Sequence, residues 1–272
     1  MGPSTFRTAL AAASLGFAAA ASAADGLIPE HPALVDRFYF GAGAFFPQTA
    51  TSAQLQNSTT GIGASIDFEN ALGMATDKSV PIALARWRLG ERWRIEAEYF
   101  QLNRSAHKAI DRDIQWGDTT YPLNTQVDSS FNFSDLRVSA GYSFFRRPDK
   151  EVGVAFGLHI AQYDVSLSAN GSATESSAVT APLPVFSVYS QFALTERWAL
   201  AARMDRFVLK YDTFDGSISA VGLDVLYQPF RHVGFGLGTR ALYIDASAED
   251  GRRTAKFRQS FQGPLLFMNV SF

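Results

Sequence analysis

Residues 92–102 read RWRIEAEYFQL, with Trp93, Ile95, Ala97 and Tyr99 at one parity and Arg94, Glu96 and Glu98 at the other. Side chains of a β-strand alternate between two faces, so this segment fits a sheet with one apolar and one charged side. Similar alternation returns in 37–46, 79–89, 92–106, 130–145, 151–168, 183–194, 197–212, 217–230, 232–247 and 255–272. No helical period competes with it, and the count is ten strands. What remains to be decided is which face lies inside.

The connections sort into two alternating groups. Those at 90–91, 146–150, 195–196 and 229–232 are tight, whereas 47–78, 107–129 and 169–182 are long and polar, with shorter ones at 213–216 and 248–254. If the strands run up and down, all tight turns fall at one end and all long loops at the other, the asymmetry of a transmembrane barrel of the bacterial outer membrane. The segment 47–78 alternates within itself at TSAQL and GASIDFENALG. It reads as a hairpin extending the first strands or as an inward plug, so eight and twelve strands are the alternative counts.

With the charged parity inward, Arg86, Arg88, Arg94, Glu96, Glu98, Asp135, Arg137, Arg203, Asp205, Asp224 and Arg240 line a lumen of both signs, together with His159. The opposite parity runs Leu136, Val138, Ala140, Tyr142, Phe144 and Val152, Val154, Phe156, Leu158, Ile160 without a charge. A lipid-facing surface needs that purity, because Lys or Arg at the bilayer midplane costs about 2–4 kcal/mol. A soluble barrel would also alternate. Two features separate the readings. Trp87, Trp93 and Trp198 lie beside the tight turns, where an aromatic girdle belongs. Segments such as 92–106 and 151–168 exceed the usual soluble strand length, while a tilted membrane strand needs about 9–11 residues.

Composition narrows the classes further. After the N-terminus no stretch of the 272 residues approaches the roughly 18 consecutive apolar residues of a spanning helix. There is no cysteine, which removes disulfides, thiolate metal sites and a cysteine lipid anchor. A net charge of −2 gives no case for nucleic acid. Arg7 precedes the apolar run 9–21, and the small residues 21–23 supply a cleavage site, so 1–23 reads as a secretory signal peptide. A periplasmic lead, 24–35, follows, and 36–272 is the barrel.

The chain ends LLFMNVSF, with Leu266, Met268, Val270 and Phe272 at one parity. That ending resembles the C-terminal signal that the barrel assembly machinery of bacterial outer membranes reads. Segments 63–74, 181–217 and 228–246 look like those of uncharacterised proteobacterial outer-membrane β-barrels of similar length. The resemblance implies location in the bacterial outer membrane, with its lipid and lipopolysaccharide as partners, and no specific activity. The basic residues 251–253, Lys256 and Arg258 suit lipopolysaccharide phosphates or solvent equally.

Catalytic constellations are weak. His159, between the small residues Gly157 and Ala161, reads as a hydrogen-bonded lumen filler, and Glu96 with Glu98 as members of an ion-pair network rather than an acid–base pair. His31, His107 and His232 show no metal-ligand spacing. The acidic pair and His–Asp signature of the ten-stranded outer-membrane proteases find no match at the loop ends. The expectation is therefore a non-enzymatic structural or interaction barrel without cofactors, its lumen mostly occluded at this strand number. A narrow porin-like channel and a barrel enzyme acting on lipid or peptide are the alternatives. The inward glycines Gly153, Gly157, Gly234, Gly236 and Gly238 predict a crevice along two strands.

Overall fold

A computed structural model of the chain describes residues 30–57, 63–111, 113–116, 119–169, 175–211, 214–250 and 253–272. The expected signal peptide, 1–23, lies outside them. After a single helical turn, α1 (Pro32–Val35), the chain enters β1 (Phe38–Phe45), β2 (Gln48–Asn57) and β3 (Gly63–Asp67), then a second short helix, α2 (Phe68–Leu72). There follow β4 (Val80–Leu89), β5 (Trp93–Ala109), the small pair β6 (Ile114–Trp116) and β7 (Thr119–Tyr121), β8 (Gln126–Arg146) and β9 (Lys150–Ala169). The last five strands are β10 (Glu175–Ala193), β11 (Trp198–Tyr211), β12 (Phe214–Tyr227), β13 (Val233–Asp250) and β14 (Arg253–Ser271).

The order β1-β4-β5-β8-β9-β10-β11-β12-β13-β14 closes on itself through β1–β14, giving a ten-stranded antiparallel barrel to which β2 and β3 are added. Closure runs from Tyr39 opposite Ser271 to Phe45 opposite Leu265. Beyond Phe46 and Pro47 the same strand, β14, takes β2 as its partner, from Gln262 opposite Gln48 to Arg253 opposite Asn57. Proline cannot donate to a ladder, which is why β1 and β2 break at Pro47 instead of running on as one strand.

Segment 47–78 is thus a hairpin with a helical turn, and it does not enlarge the ring. Asp67 caps α2 by accepting from the Asn70 amide, and Gly73 ends it at φ 73°, the left-handed conformation glycine adopts freely. The end of β5 beyond its pairing with β4 is met by this unit through side chains: Lys78 donates to the Asn103 carbonyl, Lys108 to the Asn70 carbonyl, and Arg104 to Glu69 and Thr51.

Each long strand changes its rule partway up. Nearest the tight turns, β5 points Trp93, Ile95, Ala97 and Tyr99 outward and Arg94, Glu96 and Glu98 inward. Past Tyr99 it points Gln101, Asn103, Ser105 and His107 outward and Phe100, Leu102 and Arg104 inward. On β8, outward Phe144, Tyr142, Ala140, Val138 and Leu136 give way to Ser134, Asn132, Ser130 and Asp128; on β9, outward Ile160 gives way to Gln162. The lower half is therefore inverted, apolar outside and charged inside, while the upper half has the polarity of a soluble protein. Exposure of 53% at Phe156, 64% at Phe186, 59% at Leu237 and 56% at Leu266 describes an apolar belt that a water-soluble monomer does not carry. Lipid is the solvent that suits it.

This change of rule explains where the expected loops were too long. The segment 107–129 contains the end of β5, the β6–β7 pair and the start of β8, and 169–182 contains the first residues of β10. His107 accordingly sits on a strand rather than in a loop. Above the belt the outward face is polar, so the apolar-outward signature used to delimit strands stops while the strands continue.

Candidate functional site

Among the described residues, buried charge is concentrated in the lumen of the lower half. Glu151, at the start of β9, is 1% exposed and accepts both Arg88 guanidinium nitrogens at 2.9 and 2.6 Å, with Arg94 at 3.5 Å. Arg94 reaches Glu96 at 3.1 Å, and Arg203 bonds the same Glu96 and, at 2.7 Å, Asp205. Arg137 stands 3.9 Å from Glu96, 3.7 Å from Glu98 and 3.9 Å from Asp205. Arg240 closes the run, 3.1 Å from Glu98 and 2.7 Å from Asp224. His159 bridges two carboxylates, with Nδ1 2.8 Å from Asp135 and Nε2 3.6 Å from Asp205.

Every carboxylate in this chain has a cationic neighbour and most cations have two acidic ones, so the network continues unbroken from β4 to β12. All the charged residues expected in the lumen are there. Glu151 was absent from that expectation, although the expected strand 151–168 begins with it, directly after the tight turn 146–150. The signal that could have found it is parity: it is the first residue of β9 in step with His159.

Arg86 stands apart from the ion pairs. Its guanidinium donates to Gln191 at 3.0 Å and to the carbonyl of Ala33 in α1, and lies over the Tyr39 ring at 4.9 Å. Through that contact α1 seats in the mouth beside the tight turns, with His31, Ala33 and Leu34 all buried. Asp36 then clips the segment to the next turn by accepting two bonds of 2.7 Å from Arg231. Of the expected periplasmic lead, 24–35, residues 24–29 lie outside the described residues, and residues 31–35 form a stopper.

A second closure lies above the charges. Phe45, Phe100, Phe133, Phe261 and Tyr163 converge from β1, β5, β8, β14 and β9. Ring centroids are 5.4 Å apart for Phe45–Phe100, 4.7 Å for Phe133–Phe261 and 5.0 Å for Phe133–Tyr163, and Phe68 of α2 meets Phe131 edge to face at 5.6 Å. Between stopper and aromatic layer a cavity of about 120 Å³ remains, lined by the charged residues and by Phe45, Phe100 and Leu242. The expected crevice is absent. A Cβ on Gly236 would lie 2.0 Å from the Phe267 ring, one on Gly153 would lie 2.3 Å from Tyr189, and one on Gly238 would lie 2.0 Å from Asp224. Those glycines make room for neighbouring side chains, not for a ligand; Gly157 and Gly234 are crowded likewise.

Outside, Trp87, Trp93 and Trp198 project from the belt beside the tight turns, each with an aromatic partner: Phe38, Tyr142 and Tyr227. Leu266, Met268, Val270 and Phe272 are exposed on β14 and its end, where Phe272 meets Phe38 and Phe40. His232 is in its tight turn, Nδ1 2.8 Å from the Ser271 carbonyl. Lys256 and Arg258 lie on β14, high above the belt.

Among solved structures, the outer membrane protease OmpT from Escherichia coli is similar over 86% of this chain and 97% of its own, with a TM-score of 0.51 at 10% identity. The chain has the fold of bacterial outer-membrane β-barrels. Ail, the attachment invasion locus protein of Yersinia pestis, is a looser likeness, at TM-score 0.36 and 8% identity over 87% of this chain and 99% of its own. Neisserial surface protein A stands at 0.33 and 14% over 86% and 97%. No protein-family model matches the chain, and no curated protein matches it in sequence. At such identities the likeness covers architecture and leaves the chemistry to this chain's own residues.

Proposed function

We propose that this protein is a non-conducting barrel of the bacterial outer membrane, exported by the signal of residues 1–23, that works through its outer surface rather than through its lumen. The observation that carries this reading is closure in series: α1 in the periplasmic mouth, the ion-pair network across the middle, and the aromatic layer above it. Arg and Glu side chains that satisfy one another across a narrow lumen rigidify the wall, and losing one leaves a buried charge uncompensated. His159, held between Asp135 and Asp205, belongs to that network as filler and carries no turnover. The tight turns face the periplasm, Phe272 with its apolar partners serves the assembly machinery, and Lys256 and Arg258 meet lipopolysaccharide phosphates, for which their donors are suited.

Single-channel recording on the refolded mature chain in planar bilayers tests the reading, with a heat-modifiability gel to show that the barrel has formed. Folded protein without conductance steps is the expected result. Steady steps would overturn it and make the lumen charges a selectivity lining. That narrow-channel reading has one observation in its favour, the cavity between the two closures.

A further inference from the structure

The outward face of the upper half is not uniform. On β5, β8, β9 and β10 its residues form a rectangular array. The cross-strand rows are Gln101–Ser134–Gln162–Thr180, Asn103–Asn132–Asp164–Ala178, Ser105–Ser130–Ser166–Ser176 and His107–Asp128–Ser168. No Lys or Arg stands among them. The neighbouring strand β11 carries Arg206, opposite Phe186 below the array, and Lys256 and Arg258 lie on β14, which pairs with none of the four array strands. A wall that only has to meet water commonly uses Lys and Glu; this one uses short hydroxyl and amide groups that lose little rotamer freedom when a ligand fixes them.

At the top of the array is a depression of about 370 Å³ bounded by Ser105, His107, Asp128, Ser130, Ser166 and Ser168. His107 Nδ1 lies 2.6 Å from Asp128, and the Ser130 and Ser166 hydroxyls are 2.7 Å apart. The pair is open, with side chains 64% and 66% exposed, so it adds little to stability while both side chains keep polar capacity within reach of a ligand.

We propose that this wall is a saccharide-binding surface, with the depression at His107 and Asp128 as its principal subsite, and that its ligand is the sugar portion of a glycolipid in the same leaflet. Donors and acceptors at neighbouring cross-strand positions suit the closely spaced hydroxyls of a sugar. Asp128 and Asp164 stand among the rows, while the neighbouring cation in contact with the rows, Lys78, has its ammonium bonded to the Asn103 carbonyl; this balance disfavours a bare phosphate. Continuity supplies the occupant: Tyr99 belongs to the apolar belt and the array begins at Gln101, to which the Tyr99 hydroxyl donates at 3.2 Å. A lipid whose chains pack on the belt sets its headgroup against the array. The proposal rests on the membrane placement above and would survive a finding of conductance.

The test uses the refolded mature chain in detergent micelles, with the dephosphorylated core oligosaccharide of lipopolysaccharide as probe and saturation-transfer NMR as readout. Wild-type protein should show transfer to the sugar protons, and Asp128→Ala combined with Ser130→Ala should weaken binding at least about tenfold, as expected for lost hydrogen bonds to a charged and a neutral group. Tyr243→Phe, on β13 away from the array, should leave it unchanged. Heat-modifiability confirms that each variant is folded, and separate Asp128→Asn and Ser130→Ala proteins, each with a weakened signal, replace the double variant if that one fails to fold. No transfer with the wild type, undiminished binding in the array variants, or loss in Tyr243→Phe would each overturn the proposal.

Discussion

At the scale of single residues, the lumen depends most on Glu151. It holds Arg88 through two bonds and Arg94 through a third contact, and Ser143 donates to it as well. Glu151→Ala leaves two buried guanidinium groups short of a partner, and we expect a loss of about 3–5 kcal/mol, read from urea unfolding of barrels refolded into vesicles. Glu151→Gln, which keeps an acceptor oxygen, should lose less; equal stability of wild type and Glu151→Ala would remove the network from the account of the fold. His31 sets a pH dependence at the stopper. Burial lowers its affinity for a proton and the Arg86 charge adds to this, against the opposing effects of the Arg197 backbone and Asp36. A lowered value means that the folded segment favours neutral imidazole, so its stability is full above the ordinary histidine value of about 6.5 and falls as pH drops below it. Burial raises the Asp36 carboxyl, but the Arg231 and Ser271 hydrogen bonds outweigh burial and hold it below the usual range, so that clip persists into stronger acid. Hydrogen exchange at residues 33–36, corrected for intrinsic rates, should show protection lost between pH 7.5 and 5.5 in the wild type and retained in His31→Asn.

At the scale of strands, the deciding fact is the reversal of polarity along β5, β8, β9 and β14. It locates the upper edge of the belt between Tyr99 and Gln101, between Leu136 and Ser134, and between Ile160 and Gln162. An arginine scan along outward positions of β9 measures that edge. Val154→Arg and Phe156→Arg should each lose about 2–4 kcal/mol in vesicles, whereas Ser166→Arg should stay within about 0.5 kcal/mol. A flat profile would mean that the belt does not face lipid. The lower halves of the strands were legible in the sequence because charge at one parity and pure apolar residues at the other admit one solution. The upper halves were not: Phe100 and Phe133 continue the parity of the lumen charges on β5 and β8, and only the registers of the closed ring show that they meet each other and Phe261 of β14 instead of water. The array around His107 was missed for the same reason, since its rows are contributed by strands distant in sequence.

At the scale of the whole molecule, ring size and the two-ended arrangement of turns and loops could be read from connection lengths; among the described residues no helix is long and apolar enough to cross a membrane. The stopper could not be read, because α1 is one turn long and its meaning lies in a single carbonyl offered to Arg86. One feature of the ring bears on how such a chain acquires its shape. β14 is the sole partner shared by β1, β2 and β13, so both the seam of the barrel and the hairpin above it wait for the last segment to be synthesised. Contacts joining the two ends of a chain carry the greatest loop-closure entropy, and nothing rewards it until the whole meander is in hand. Until that seam closes, any partly assembled sheet of this order has two unpaired edges open to whatever strand it meets, a hazard of assembly that the finished, edgeless ring no longer shows.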